Sequence, residues 1–154
     1  MWNLTSPVTG AAQTGFTSPT YTLTSDQAPE YNGKQSAVTA LGGTQAGVTA
    51  HSVASPFTIN FVRPKSYKTL GLPNPVTGKL ATVPMNRFDV IVRKGVTPMA
   101  GPPAKPLIIR VSLDVPAGAD TYDAANIRAA VSLAIGALSQ QAAGVGDTLI
   151  TGIA

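Results

Sequence analysis

The chain has 154 residues, no cysteine, one histidine, and only 12% charged side chains against 44% hydrophobic ones. That length suits one domain, residues 1–154, with a real core; the missing cysteine excludes disulfides and thiolate metal sites, and this much apolar content excludes a disordered chain. Eleven lysines and arginines against seven aspartates and glutamates leave a net charge of +4, a bias toward an anionic partner such as nucleic acid.

Charge this far below the usual ~25% implies surfaces that end up covered. No stretch approaches the ~18 apolar residues of a membrane span, so no membrane partner is expected. The start, Met1-Trp2-Asn3-Leu4-Thr5, lacks a basic segment followed by an apolar run, and the product is expected to stay cytosolic where it is made.

In chain order, Trp2 to Val8 and the Thr- and aromatic-rich Thr14 to Thr24 are expected to form a hairpin across Thr9-Gly10. Lys34 to Leu41 and Ala46 to Val53 flank Gly42-Gly43, which predicts a second pair of short strands around a glycine turn. Pro56 to Arg63 alternates, with Phe57, Ile59 and Phe61 on one face and Thr58 and Asn60 on the other. Arg87 to Lys94 repeats the pattern: Phe88, Val90 and Val92 oppose Arg87, Asp89, Ile91 and Arg93. In Leu107 to Asp114, Leu107, Ile109, Val111 and Leu113 oppose Ile108, Arg110 and Ser112. One sheet face is therefore apolar and the other polar and basic.

Two long connections, Pro64 to Asn86 and Gly95 to Pro106, separate these strands and are too long for simple hairpin turns. The second carries four prolines, which stiffen the backbone and remove N–H donors, as suits a loop docked against something; an ordinary surface loop has the same composition.

Asp123 to Ala143 then reads as one amphipathic helix, started by Asp120 or Thr121 and stopped at Gly144 and Gly146, with a short closing segment from Asp147 to Ala154. Ile127, Val131, Ile135 and Leu138 line one side, and Leu133 extends the apolar arc beyond what a single core requires. Its own sheet can cover one flank; the other implies a second copy of the chain or a larger assembly.

Catalytic chemistry is sparse. His51, in Thr49-Ala50-His51-Ser52, has no carboxylate or second histidine beside it and reads as a strand or loop residue rather than a base. Asp114, Asp120 and Asp123 do not match a calcium loop and are better explained as helix-start residues. No metal site, cofactor site or phosphate-loop motif is expected. What remains is the polar face, where Arg87, Arg93 and Arg110 stand among Thr58, Asn60, Asp89 and Ser112. Arginine can clamp phosphate and stack on unpaired bases, while threonine and asparagine can reach base edges or a 2′-hydroxyl. A solvated face, with Asp89 partly compensating Arg87, is the plainer reading.

Phe57-Thr-Ile-Asn-Phe-Val-Arg63, Arg87-Phe-Asp-Val-Ile-Val-Arg-Lys94, Leu107-Ile-Ile-Arg-Val-Ser-Leu-Asp-Val-Pro116, the Asp120-Thr-Tyr-Asp123 helix entry and the Gly146-Asp-Thr-Leu-Ile150 ending together resemble the coat proteins of single-stranded RNA bacteriophages, the levivirus group. The resemblance covers nearly the whole chain in element order and size. It implies an α+β fold: an N-terminal β-hairpin, an antiparallel five-stranded sheet, and a C-terminal helical segment that packs on the partner's sheet in an interlocked dimer.

It further implies that dimers close an icosahedral shell, and that the inner sheet face binds a stem-loop of the phage RNA, serving packaging and translational repression. Thr58, Asn60, Arg87, Asp89, Arg93, Arg110 and Ser112 would be the RNA-binding residues, and Ile127, Val131, Leu133, Ile135 and Leu138 the dimer interface. The loop holding Gly95, Pro98, Pro102 and Pro103 would surround symmetry axes between dimers. The Pro64 to Asn86 connection is longer than in familiar members, and Ile91 and Ile108 stand where contact positions are often polar. The expectation is thus a non-enzymatic virion protein made in the bacterial cytoplasm. The alternatives are a monomeric β-rich ligand-binding module and, more weakly, a hydrolase centred on His51 and Asp89.

Overall fold

A computed structural model describes residues 1–153. Six antiparallel strands form one sheet in sequence order: β1 (Val8–Thr9), β2 (Thr17–Asp26), β3 (Gly33–Thr44), β4 (Phe57–Val62), β5 (Met85–Val96) and β6 (Lys105–Pro116). Three helices follow, α1 (Ala119–Tyr122), α2 (Ala124–Gln140) and α3 (Ala142–Thr151). The class is α+β, but the sheet has six strands where five were expected, because the N-terminal hairpin is continuous with it.

That hairpin is smaller than its sequence predicts. Only Val8 and Thr9 pair, with Tyr21 and Thr20. Pro7 has no N–H for a ladder, and Trp2 instead crosses the sheet to stack on Phe61 at 4.9 Å between ring centroids. The aromatic row continues from Phe61 to Phe88 at 6.2 Å and from Phe88 to Tyr67 at 6.1 Å.

The strand pair expected around Gly42-Gly43 is a single strand, β3, and residues 46–53 are irregular. Gly43 (φ +70°) stands opposite a bulge in β2, where Ser18 and Pro19 together face it, rather than in a hairpin turn, and a Cβ there would collide with the Ser18 and Thr17 carbonyls. The Gln45 side chain closes over Gly42 locally by donating to its carbonyl at 2.6 Å. His51 then anchors the returning loop: its N–H donates to the Val38 carbonyl at 2.8 Å, and its Nδ1 accepts the Phe57 N–H at 3.0 Å. His51 is a structural loop residue.

The three later strands keep their expected alternation. Phe61 pairs with Val90, Val90 with Val111, Ile59 with Val92, and Phe88 with Leu113, so these side chains share the apolar face. The N-terminal segment covers part of that face and leaves an apolar hollow of about 270 Å³ among Leu4, Tyr21, Leu23, Phe57 and Ile59. The connection expected from Gly95 to Pro106 is instead a hairpin. Pairing persists through Gly95 with Pro106 and Val96 with Lys105, and only residues 97–104 form the tip. Gly95 is therefore a buried strand residue, whose missing Cβ lets the chain pass Ser55; a Cβ there would lie 2.7 Å from the Ser55 Cα.

The predicted helix is also divided. Asp123, expected near the first turn, is the N-cap of α2; its carboxylate accepts from the Asn126 N–H at 3.5 Å. Gly144 and Gly146 do not stop the helical segment, because the break falls at Gln141 and α3 runs through both glycines. Their neighbours supply the compensation: the Gln13 side chain donates to the Ala142 carbonyl and the Thr14 hydroxyl to Asp147, each at 2.8 Å, which fastens α3 to the N-terminal loop. The expected closing segment thus belongs to α3 as far as Thr151, and Ala154 lies outside the described residues.

Candidate nucleic-acid and assembly surfaces

Two surfaces carry the expected functional residues, and the strand register defines the first. Thr58 is paired with Arg93, Asn60 with Ile91, Arg93 with Ile108, Ile91 with Arg110, and Asp89 with Ser112. Opposed residues of an antiparallel pair share a face, so Thr58, Asn60, Asp89, Arg93, Arg110 and Ser112 all lie on the side opposite the apolar packing. Arg87, opposite Asp114, completes the row.

Charges on this face are more balanced than the sequence suggests. Arg87 grips Asp114 through Nε at 2.8 Å and a terminal nitrogen at 3.0 Å, a bidentate pair on an exposed surface. That guanidinium lowers the Asp114 carboxyl pKa, and Asp114 raises that of Arg87. Compensation of Arg87 thus comes chiefly from Asp114, and Asp89, which also accepts the Ser112 hydroxyl, adds the smaller share. Among the described residues no ion pair engages Arg93 or Arg110. They are the two cations of the face left free for an outside anion.

Thr58 and Asn60 are on the expected face yet buried, at 5% and 3% exposure. With them sits a group of buried amides that sequence reasoning did not single out. Gln35, opposite Asn60 on β3, donates to the Asp26 carboxylate at 2.6 Å, and this bond holds the Asp26 carboxyl below its ordinary range. Asn32 donates to the Arg63 carbonyl across the neighbouring turn. The Gln35 Oε1 and Asn60 Oδ1 atoms are buried without a hydrogen-bond partner. These two acceptors belong to the closed interior between β3 and β4 rather than to the accessible polar face. Gln35 stands between the equally polar Lys34 and Ser36, so no pattern within the strand marks it as buried.

The second surface is apolar. Only the first two turns of α2 approach their own sheet: Ile127 and Val131 are half-buried, over a groove of about 520 Å³ also lined by Leu113, Val115 and Pro116. Beyond it the helix leaves the body. Leu133 is 75% exposed, Ile135 64%, Leu138 52% and, in α3, Ile150 85%. No residue of α2 or α3 is fully buried. Strand β6 is the sheet edge, and Leu107, Ile108 and Ile109 are exposed along it, beside unpaired backbone donors and acceptors. Pro98, Pro102 and Pro103 stand in the exposed tip between β5 and β6.

Among the described residues no group of histidines, cysteines or carboxylates could hold a metal ion, and no helix is long and apolar enough to cross a membrane.

No family model and no curated protein matches the chain. A solved structure does: in a virus-like particle of bacteriophage ESE020, a chain 60% identical to this one matches over 100% of both chains, with a TM-score of 0.97.

Proposed function

This chain belongs to the bacteriophage coat proteins, with a structural role in the capsid, and from that premise we propose that it pairs with a second copy, assembles through such dimers into an icosahedral shell and binds single-stranded phage RNA on its inner sheet face. The observation that carries the reading is the uncovered apolar surface of α2, α3 and the β6 edge. Exposed leucines and isoleucines on this scale, beside an open strand edge, are tolerated in a protomer whose folding is completed by another copy. Antiparallel pairing of two β6 strands would satisfy the free backbone groups, and the partner's α2 would cover Leu107 and Ile109.

RNA binding rests on the opposite face. Arg93 and Arg110 supply charge for phosphates, flanked by Ser112 and Asp89, which carry hydrogen-bonding groups on the same face. Arg87, engaged by Asp114, contributes less. A stem-loop held here during infection would serve packaging and repress translation, as in the levivirus group that the sequence resembles.

The test is electron microscopy of the protein purified after bacterial expression, combined with absorbance at 260 and 280 nm. Uniform closed particles whose absorbance shows nucleic acid are expected. Soluble monomers at micromolar concentration refute assembly, and particles free of RNA refute the nucleic-acid role. The monomeric binding-module reading would need an aromatic platform; Trp2, Phe61, Phe88 and Tyr67 instead form a row on the apolar face, and the exposed Tyr31 and Tyr122 pair with no other aromatic among the described residues.

A further inference from the structure

The connection between β4 and β5, residues 63–84, is used by neither the dimer nor the RNA surface. Its roots are fixed to the body. The Lys68 N–H donates to Asn86 Oδ1 at 2.8 Å, Asn86 Nδ2 donates back to the Lys68 carbonyl at 3.0 Å, and Leu70 rests on the backbone at Gly118 where α1 begins. Past Leu70 the chain projects, and the tip is held by its own bonds. Asn74 Oδ1 accepts from the Val76 and Thr77 N–H groups at 2.8 and 3.2 Å, and the Asn74 N–H donates to the Lys79 carbonyl at 2.9 Å.

This preformed loop presents apolar side chains to solvent. Leu72 is 95% exposed and Val76 90%, and Lys79 is the single charge from Thr69 to Val83. A loop selected for water alone has no use for that composition. Strand directions place it where β4 ends and β5 begins, at the end of the sheet opposite the 97–104 tip. A shell built from dimers needs contacts in addition to the self-complementary one within each dimer. The phage particle chain, matched over its full length, shows that a chain of this extent is accommodated in an assembled particle.

We infer that residues 71–83 are an apolar contact between dimers, docking through Leu72 and Val76 on a second copy of this chain in the neighbouring dimer. The inference rests on the capsid reading. Because the chain has no cysteine, Leu72→Cys introduces a unique thiol whose reaction with a maleimide dye can be timed in particles and in dimers dissociated from them. Labelling at least ten-fold slower in particles is expected; equal rates overturn the contact.

A Leu72→Ser/Val76→Ser variant is expected to keep the wild-type dimer and far-ultraviolet spectrum while losing particles or disassembling at lower denaturant. Particles of unchanged yield and stability overturn the contact as well. If Leu72→Cys itself yields only folded dimers, the contact is supported. A wild-type preparation without particles refutes the capsid reading, whereas wild-type particles with a fully reactive thiol at position 72 refute only the loop contact.

Discussion

Replacing Leu133 with Ala separates pairing energy from folding energy, because the side chain is 75% exposed in the protomer and sits on α2 where the helix has left its own sheet. Leu→Ala removes three carbons, worth ~0.8 kcal/mol each when taken out of water. Three-quarters of that area is still available for burial, so a partner covering it gains ~1.8 kcal/mol per side chain, or ~3.6 kcal/mol for the two copies of a symmetric dimer. At ~1.4 kcal/mol per tenfold, the dissociation constant rises about 400-fold. Alanine is the better helix former, so α2 itself is not weakened. Sedimentation equilibrium over a concentration series reads the constant, and circular dichroism checks the helix. A variant that dimerises as tightly as the parent refutes the assignment of this flank to a second copy.

On the RNA face, Arg93→Ala and Arg110→Ala each reduce the slope of log affinity against log salt by roughly one, while Arg87→Ala changes it less because Asp114 already holds that guanidinium; filter binding of single-stranded RNA across a salt series measures all three. Asp114→Asn releases Arg87 and tightens RNA binding in the same assay. Gly43→Ala forces a Cβ into the Ser18 and Thr17 carbonyls at a positive φ and lowers stability by at least ~1–3 kcal/mol, seen as a fall in thermal midpoint; an unchanged midpoint contradicts the bulge. Asp26 and Asp114 have lowered pKa values from Gln35 and Arg87 respectively. Their stabilisation is therefore complete above the ordinary carboxylate value of ~3.9 and is lost as pH falls through the lowered values. Gln35→Ala and Arg87→Ala should each flatten the acid limb of a stability–pH curve.

Period-two alternation made the β4, β5 and β6 faces readable, since each strand has one face on the apolar packing and register follows from that pattern. Arg93 and Arg110 were accordingly identifiable as neighbours across the polar face. Less was readable where a glycine had two uses. Gly42-Gly43 satisfies the requirements of a hairpin turn and of a close strand crossing alike, and the choice was made by the Thr17 and Ser18 carbonyls of β2, which are distant in sequence, with Gln45 closing over Gly42 locally. Gly144 and Gly146 resemble a helix stop, but hydrogen bonds from Gln13 and Thr14, more than a hundred residues earlier, hold α3 in place. The Arg87–Asp114 pair was hidden for a related reason: Asp89 is nearer in sequence, whereas register puts Asp114 directly opposite. The buried amides at Gln35 and Asn60 depend on how β3 and β4 meet, which alternation within either strand does not reveal.

Cryo-electron microscopy of the assembled particle at side-chain resolution tests the central claim most directly. Leu133, Ile135 and Leu138 should be packed against a second copy of the chain, with the β6 edges paired. A particle in which these three side chains still face solvent would contradict the account.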